Sequence, residues 1–468
     1  MGGAAAGAKG KQPDPGVSSR LKLLEAWFES SLAYRDQPGL SLGIVRDQEL
    51  IWERGFGLAD TEAGRVADAD TLYRIASISK LFTAIAAMQL RDEGRLRLDE
   101  PIQTYLPWFS VRGRAPDWPE TTLWQLLTHT SGLPREAAFP YWNENDFPDA
   151  DQIRRTVPEQ ELVHPPETRW KYSNLAYALA GMVVEAASGR SYSDWVATRI
   201  CDPLEMTSTT VEAAGDHRDR LAVGYGRRMP GNVREVRPFS DTRAIGAAGG
   251  VVSSVRDLAR FASFLFHPAG KGVLRPSTIR EMQRVHWVRP DWQGGWGLGF
   301  SLLRRGERTL VGHGGWLAGY QSSFTTSPQE KIAVIALGNA DDAAPYPGRA
   351  DSVVDRVWSW VASAMRPLPA PPPPPEPIWA RYVGLYRSAW GDRQILELDG
   401  RLTMIAPTEP DPFPLRVTLD PVGKHRFRTR SDAPFGEDGD PVVFEFGADG
   451  EVARLRVGES YSLPVRTG

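Results

Sequence analysis

Two residues three positions apart, Ser77 and Lys80, are the clearest candidates for nucleophilic chemistry in this chain. Apolar residues recur at helical spacing from Ser77 to about Glu93, which predicts a buried helix that begins at this pair. Residues i and i+3 share one face of a helix, so the hydroxyl and the amine are expected within hydrogen-bond reach. A buried amine loses basicity, and a neutral Lys80 would then accept the serine proton. Taken alone, the pair also fits a capping serine followed by a surface lysine.

Two further motifs add polar side chains to this picture. Residues 171–174 (KYSN) precede an apolar helical run, and residues 313–316 (HGGW) stand at the head of the last predicted strands of the first domain. With them present, the interpretation of the serine and lysine as a nucleophile and its proton partner is favoured over the capping interpretation.

In order and separation, these three motifs (SxxK, YxN and HxG) resemble those of the serine β-lactamase and penicillin-binding-protein superfamily. The resemblance is to the branch that contains class C β-lactamases, D-aminopeptidases, DD-carboxypeptidases and family VIII carboxylesterases. It covers roughly residues 21–365 and includes residues 126–134 (LLTHTSGLP), 249–261 (GGVVSSVRDLARF) and 295–300 (GWGLGF). It implies an α/β + α fold of the β-lactamase/transpeptidase type, in which an antiparallel sheet is flanked by helices and an all-α subdomain.

The resemblance also implies a role for each motif residue. Ser77 is the nucleophile that forms an acyl-enzyme, Lys80 is its proton partner, and Tyr172 is the general base and acid. Asn174 would hydrogen-bond a substrate amide or Lys80, and the backbone N–H groups of Ser77 and Trp316 would form the oxyanion hole. Such groups are needed because a neutral hydroxyl attacks a carbonyl poorly and the resulting oxyanion must be stabilised.

His313 departs from the pattern of penicillin-hydrolysing members, which usually carry lysine at this position. Histidine here resembles the esterase, D-aminopeptidase and DD-peptidase members, so efficient β-lactam hydrolysis is not expected. His313 would donate a hydrogen bond to a substrate carboxylate or to Tyr172, although it is only partly charged near neutral pH. The alternative is a structural histidine at a strand end.

Aromatic residues near the motifs favour a pocket for an apolar or planar acyl group. Of the 16 tryptophans, several lie between the first two motifs or flank the third. The predicted pocket residues are Tyr141 and Trp142, together with Gly314 and Gly315, which would let the strand approach the substrate closely. For any one aromatic ring, core packing is the alternative.

Other motif matches are predicted to be structural. Ser41 lies in a GxSxG match, but that motif needs a strand-to-helix elbow, and the residues after Ser41 continue a strand into a hairpin turn. His129 is also predicted to be structural. The seven histidines show no HxH or HExxH spacing, and the chain has no GxxxxGK[ST] loop. We therefore expect neither a metal nor another cofactor.

Composition limits the class of protein. Lys and Arg number 55 against 58 Asp and Glu, a net charge of −3, which argues against nucleic-acid binding. Cys201 is the only cysteine, so neither an intramolecular disulfide nor a CxxC metal site is possible. No apolar run approaches the roughly 20 residues of a membrane helix. Residues 1–16 lack the apolar centre of a signal peptide, which favours a cytoplasmic protein; a periplasmic or secreted protein is the alternative if a leader was removed.

A proline-rich stretch at residues 367–377 predicts a stiff, extended linker between two domains. The expected organisation is a mobile tail (1–20), a hydrolase domain (21–366), the linker (367–377) and a C-terminal domain (378–468). Short apolar runs separated by Asp-Gly turns make the last domain a small all-β barrel. Residues 382–387 (YVGLYR) resemble the opening of the lipocalin-like barrels that follow this domain in D-aminopeptidase and related hydrolases.

The sequence thus predicts a serine hydrolase of small-molecule esters or peptide amides, of the carboxylesterase, D-aminopeptidase or DD-peptidase type. Two alternatives stay open: an acyltransferase or peptide cyclase that uses the same acyl-enzyme, and a penicillin-binding sensor without turnover. The intact set of Ser77, Lys80 and Tyr172 disfavours an inert relative. The barrel is expected to shape the substrate entrance or to mediate a homo-oligomer.

Overall fold

The chain divides into two compact units, Met1–Arg366 and Pro367–Gly468. A computed structural model describes residues 15–212, 216–231, 234–306, 308–343, 352–362, 365, 377–398, 400–408, 415–431 and 438–465. The predicted linker begins at the division between the units, but its residues 367–376 lie outside the described residues, as do residues 1–14 of the predicted tail.

The helices of the first unit in the described ranges are α1 (Pro15–Arg35), α2 (Ser79–Asp92), α3 (Leu123–Thr128), α4 (Tyr141–Glu144), α5 (Ala150–Thr156), α6 (Asn174–Ser188), α7 (Tyr192–Val196), α8 (Asp216–Arg220), α9 (Gly246–Gly249), α10 (Val255–Phe266), α11 (Pro276–Gln283) and α12 (Val353–Arg356). Its strands are β1 (Gly39–Arg46), β2 (Glu49–Asp60), β3 (Arg65–Val66), β4 (Tyr73–Arg74), β5 (Thr210–Val211), β6 (Val251–Ser253), β7 (Trp287–Val288), β8 (Gly294–Trp296), β9 (Ser301–Arg305), β10 (Arg308–Leu317), β11 (Tyr320–Ser327) and β12 (Ile332–Gly338).

The main sheet has nine antiparallel strands in the order β3-β2-β1-β12-β11-β10-β9-β8-β7. Strands from the two ends of the unit are neighbours in this sheet, where β1 pairs with β12 from Leu40↔Gly338 to Arg46↔Ile332. Three short strands form a second sheet in the order β4-β6-β5. The predicted fold, a sheet completed by both chain ends around a helical insertion, is confirmed.

Helix α2 is the centre of the first unit. Twelve of its residues are buried, so it packs on all sides rather than along one stripe. It contacts α6 and α9, and it ends at Asp92, close to the predicted end near Glu93. Gly94, which follows, adopts φ +73°. The helix begins two residues later than predicted, because Ala76–Ile78 form a separate 3-10 turn.

Residues 15–20, which the sequence assigns to the mobile tail, belong instead to α1. Val17, Leu21, Leu24 and Phe28 recur at helical spacing and are buried in one apolar cluster with strand residues such as Leu42. Because this face covers the outer side of the sheet, the segment is anchored by packing.

The second unit is a closed barrel of eight strands, which confirms the predicted all-β domain. The strands are β13 (Gly384–Ser388), β14 (Gly391–Leu398), β15 (Arg401–Ile405), β16 (Val417–Gly423), β17 (Arg426–Arg430), β18 (Pro441–Phe446), β19 (Val452–Val457) and β20 (Ser460–Pro464). Tyr382 stacks on Phe444 inside the barrel, with ring centroids 4.2 Å apart. Among the described helices of both units, none combines the length and apolar composition that a membrane crossing requires.

Phe261 of α10 links the central helix to the sheet, and its replacement tests this core. Its ring stacks on Phe82 of α2 at 4.8 Å and lies 5.5 Å from Phe324 of β11. We expect Phe261→Ala to destabilise the first unit by about 3–5 kcal/mol, because the deletion leaves a cavity in a fully buried cluster. Calorimetry of the full chain should show a lower melting temperature for the first unit only. Exposed Val288→Ala is the control, expected within about 0.5 kcal/mol of the wild type; a similarly small loss for Phe261→Ala would contradict this description of the core.

Candidate active site

Ser77 lies in the 3-10 turn that joins β4 to α2, and strand β10 lies directly against this turn. A Cβ atom at Gly315 would come 2.2 Å from the Ile75 carbonyl oxygen and 3.1 Å from the Ala76 Cβ, so glycine is needed for the close approach. Ala76 adopts φ +49°, a left-handed conformation that costs free energy in a non-glycine residue. The Ser79 hydroxyl supports the turn by donating to the Ala76 carbonyl at 2.6 Å.

Lys80 is fully buried, and its amine lies within hydrogen-bond distance of three oxygens. The distances from Nζ are 3.1 Å to Ser77 Oγ, 2.9 Å to Asn174 Oδ1 and 2.7 Å to the Ala248 carbonyl. Burial lowers the pKa of Lys80 well below its ordinary value, and the negative charge of Glu136 opposes this shift in part. The neutral form of the Lys80 amine is therefore favoured more strongly in this site than it is in water.

Tyr172 approaches the same serine from another direction. Its hydroxyl donates to Ser77 Oγ at 2.8 Å, and burial raises the pKa of the phenol above its ordinary value. The ring packs on His129 at 4.4 Å and on the Arg135 guanidinium at 5.1 Å. Ser77 Oγ thus lies between a buried amine and a protonated phenol.

His129 holds the segment that carries Tyr172. It ends α3 with φ +60°, and its Nδ1 accepts a hydrogen bond from the Ser173 backbone N–H at 3.1 Å. Burial lowers the pKa of His129 well below its ordinary value, so the ring is neutral. These contacts agree with the structural role expected from the sequence.

Asn174 is the first residue of α6, whose start is fixed by Ser173. The Ser173 hydroxyl accepts from the Ala176 N–H at 2.9 Å and donates to the Pro134 carbonyl at 2.6 Å. While Asn174 Oδ1 faces Lys80, its Nδ2 donates to both carboxylate oxygens of Glu136, at 2.8 and 3.1 Å. The Asn174 amide is therefore oriented by the Lys80 donor on one side and by the Glu136 acceptors on the other.

Glu136 is a site residue that the sequence analysis missed. Besides Asn174, its carboxylate accepts from the Tyr141 hydroxyl and from Arg135 Nε at 3.1 Å. Nothing in the local sequence distinguishes it from an exposed acidic residue. The one available signal is its position two residues after the 126–134 segment.

His313 lies on β10 and is neutral. Burial lowers the pKa of His313 to about 3. Its Nδ1 bonds the Gly314 carbonyl, which only accepts, so Nδ1 carries the proton and Nε2 does not. The Nε2 atom is buried and has no partner among the described residues. The expectation that His313 donates a hydrogen bond disagrees with this arrangement, since its free nitrogen is an acceptor.

These groups meet at a cavity of about 690 Å³. Its lining includes four of the predicted catalytic residues (Ser77, Tyr172, Asn174 and His313), and Lys80 reaches Ser77 from below the surface. Trp142 and Trp316 lie on one side, with ring centroids 6.1 Å apart, and Trp316 is 40% exposed. Gly314 also lines the cavity.

Two predicted pocket residues do not line this cavity. Tyr141 is fully buried, because its hydroxyl turns inward to Glu136, and Gly315 packs on the turn that carries Ser77. Ser41 is buried on β1, where its hydroxyl donates to the Asp68 carbonyl at 2.6 Å. Within the described ranges, no group of three or more His, Cys, Asp or Glu side chains is placed to hold a metal ion.

The chain is similar to known proteins both in sequence and in fold. The chain is 35% identical over 230 residues to esterase EstB of Burkholderia gladioli, covering 47% of this chain and 58% of that protein. It spans about 60% of the length of the curated relatives it matches. A D-stereospecific amidohydrolase from Streptomyces sp. is 27% identical, with a TM-score of 0.59 over 73% of this chain and 98% of that chain.

A third similarity extends to both units. The octameric penicillin-binding protein homologue from Pyrococcus abyssi is 23% identical, with a TM-score of 0.63 over 95% of this chain and 99% of that chain. The family model described as "Beta-lactamase" matches residues 24–357, which hold all three motifs. The resemblance noted from the sequence is thereby confirmed, and the chain belongs to the beta-lactamase family.

Proposed function

We propose that this protein is a serine hydrolase that forms an acyl-enzyme at Ser77 and cleaves carboxylic esters or small peptide amides. The observation that carries the proposal is the position of Ser77 Oγ, 3.1 Å from the Lys80 amine and 2.8 Å from the Tyr172 hydroxyl, at the wall of an open cavity. A nucleophile placed between a base and an acid is the arrangement that acyl transfer requires.

In acylation, Lys80 is the base. A neutral amine uses its two N–H groups on Asn174 and Ala248, and its lone pair then accepts the proton of Ser77 as Oγ attacks the carbonyl carbon. Tyr172 is protonated in the resting site, so it donates its proton to the leaving oxygen or nitrogen as that bond breaks. The products of this step are the acyl-enzyme, the free alcohol or amine, a lysine ammonium and a tyrosinate.

In deacylation, the same groups act in reverse. The tyrosinate takes a proton from water, the hydroxide attacks the acyl carbon, and the lysine ammonium returns its proton to Ser77 Oγ. In both steps the oxyanion would bind the backbone N–H groups of Ser77 and Trp316, because β10 lies against the turn that holds the nucleophile.

The lining of the cavity disfavours anionic acyl groups. His313 presents an unprotonated nitrogen, and the nearby Arg135 is paired with Glu136, so neither offers a free positive charge to a substrate carboxylate. Trp142 and Trp316 offer apolar surface to the acyl chain. The similarity to an esterase and to a D-stereospecific amidohydrolase supports both ester and amide substrates.

Replacing Ser77 tests the nucleophile. We expect Ser77→Ala to lose at least about 10³-fold in kcat for p-nitrophenyl butyrate and for D-alanyl p-nitroanilide, because no acyl-enzyme can form. Mass spectrometry of the quenched wild-type reaction should show the acyl adduct on the peptide that contains Ser77. Ser41→Ala is the matched control and should keep its activity.

The outcome also separates the alternatives. Activity that survives in Ser77→Ala but disappears in Ser41→Ala would refute the assigned site. A single acylation without turnover would indicate a sensor, and products that carry an added amine would indicate acyl transfer.

The protonation of His313 is a second test. We expect its imidazole to stay neutral, with the proton on Nδ1, from about pH 8 to about pH 5, because burial disfavours the charged form. Nitrogen-15 NMR of labelled histidine checks this, with His313→Gln to assign the signal. A titration near pH 6.5, the ordinary histidine value, would contradict the proposed acceptor role.

Glu136 is proposed as a positioning residue for Asn174 and Lys80. In Glu136→Gln the negative charge that raises the pKa of Lys80 is lost, so the acidic limb of the kcat/KM profile should move to lower pH. Exposed Glu144→Gln is the control and should leave the profile unchanged. An acidic limb that does not move would contradict the action of Glu136 on Lys80.

A further inference from the structure

A second cavity, of about 760 Å³, lies beside the catalytic cavity, and none of the predicted catalytic residues lines it. Its wall is formed by residues of three segments, 168–170, 287–296 and 301–303. Four tryptophans contribute to it: Trp170, Trp287, Trp292 and Trp296. Trp170 also lines the catalytic cavity. The two cavities are therefore neighbours that share one side chain.

The shared wall stands next to the acid of the proposed reaction. The Trp170 ring lies 6.1 Å from the Tyr172 ring and 5.2 Å from the Trp296 ring. Trp296 in turn lies 5.4 Å from the His313 ring. Because Tyr172 protonates the leaving atom, the rest of the leaving group lies on the side of Tyr172, where Trp170 borders both cavities.

The lining of the second cavity is mostly apolar, and it includes one arginine without an ion pair among the described residues. Trp170 is 38% and Trp292 79% exposed, so aromatic surface faces solvent where a bound group would cover it. Of the two lining arginines, Arg289 is paired with Asp291 at 2.6 Å. Arg169 is exposed and forms no ion pair with any described residue.

We propose that this cavity is the subsite for the leaving group, and that it takes an aromatic alcohol or amine with an anionic substituent that pairs with Arg169. The proposal rests on the proposed hydrolase function. The tryptophans supply the flat apolar walls that an aromatic ring needs, and the guanidinium supplies the complementary charge. The catalytic cavity binds the acyl part, so recognition of the two halves of the substrate is divided between the two cavities.

Three butyrate esters with the same acyl group test this division: the esters of ethanol, benzyl alcohol and 4-(hydroxymethyl)benzoate. In the wild type we expect kcat/KM to rise about tenfold from the ethyl to the benzyl ester, because an apolar cavity discriminates by at least this factor. The carboxylate should add about threefold, as for an exposed ion pair.

The variants separate the two contributions. Trp292→Ala should reduce the benzyl-to-ethyl ratio of kcat/KM toward one, and Arg169→Gln should remove only the increment due to the carboxylate. Arg305→Gln is the control, because Arg305 is exposed on β9 outside the lining, and it should keep the wild-type ratios. Equal rates for the ethyl and benzyl esters, or ratios unchanged in the variants, would overturn the subsite while leaving the hydrolase function intact.

If none of the butyrate esters is cleaved, the result counts against the proposed function, and the subsite needs a test that does not depend on turnover. A binding measurement supplies this test. Tryptophan fluorescence of Ser77→Ala, titrated with 4-(hydroxymethyl)benzoate, reports on the second cavity without turnover. Saturable quenching that weakens about threefold on adding Arg169→Gln supports the site. Quenching that does not saturate, or that is unchanged by Arg169→Gln and by Trp292→Ala, overturns the proposed subsite.

Discussion

The burial of the Lys80 amine is the constraint on which the catalytic unit depends. An ammonium with no access to water is strongly disfavoured, so the site has to supply fixed acceptors and to allow the amine to be neutral. The oxygens around the amine come from three different parts of the chain: the turn before α2, the start of α6 and the end of α9. The packing of α2 against α6 and α9 is what brings them together.

The same exclusion of water determines the state of the neighbouring groups. It raises the pKa of Tyr172 and lowers that of His313, so the first is a donor and the second an acceptor at neutral pH. The aromatic rings around His129 sustain this environment, since Tyr172, Tyr177 and Trp296 all lie within about 5 Å of its ring. Burial among these aromatic rings thus determines which protonation state is favoured for Lys80, Tyr172 and His313.

The sequence was informative where the chemistry is local. Ser77 and Lys80 meet because they share a helical face, and residues 171–174 lie at the start of α6 because Ser173 caps it. It was uninformative where a contact depends on tertiary packing. The approach of Glu136 to Asn174 and the anchoring of α1 on the sheet join segments that no local pattern relates. Tyr141 and Trp142 show the limit most clearly, because adjacent aromatic residues in one turn face the interior and the cavity respectively.

The distribution of positive charge connects the two cavities. In the catalytic cavity the neutral form of Lys80 is favoured, Arg135 is paired with Glu136, and His313 is neutral. An anionic substituent on the acyl group therefore meets no free cation among the described residues that line this cavity. A bound carboxylate close to Lys80 would also raise the pKa of this amine and reduce the fraction of the neutral form that accepts the proton. Recognition of negative charge is therefore compatible with the mechanism only at a distance from the amine. Arg169, beyond the Trp170 ring at the edge of the second cavity, satisfies that requirement.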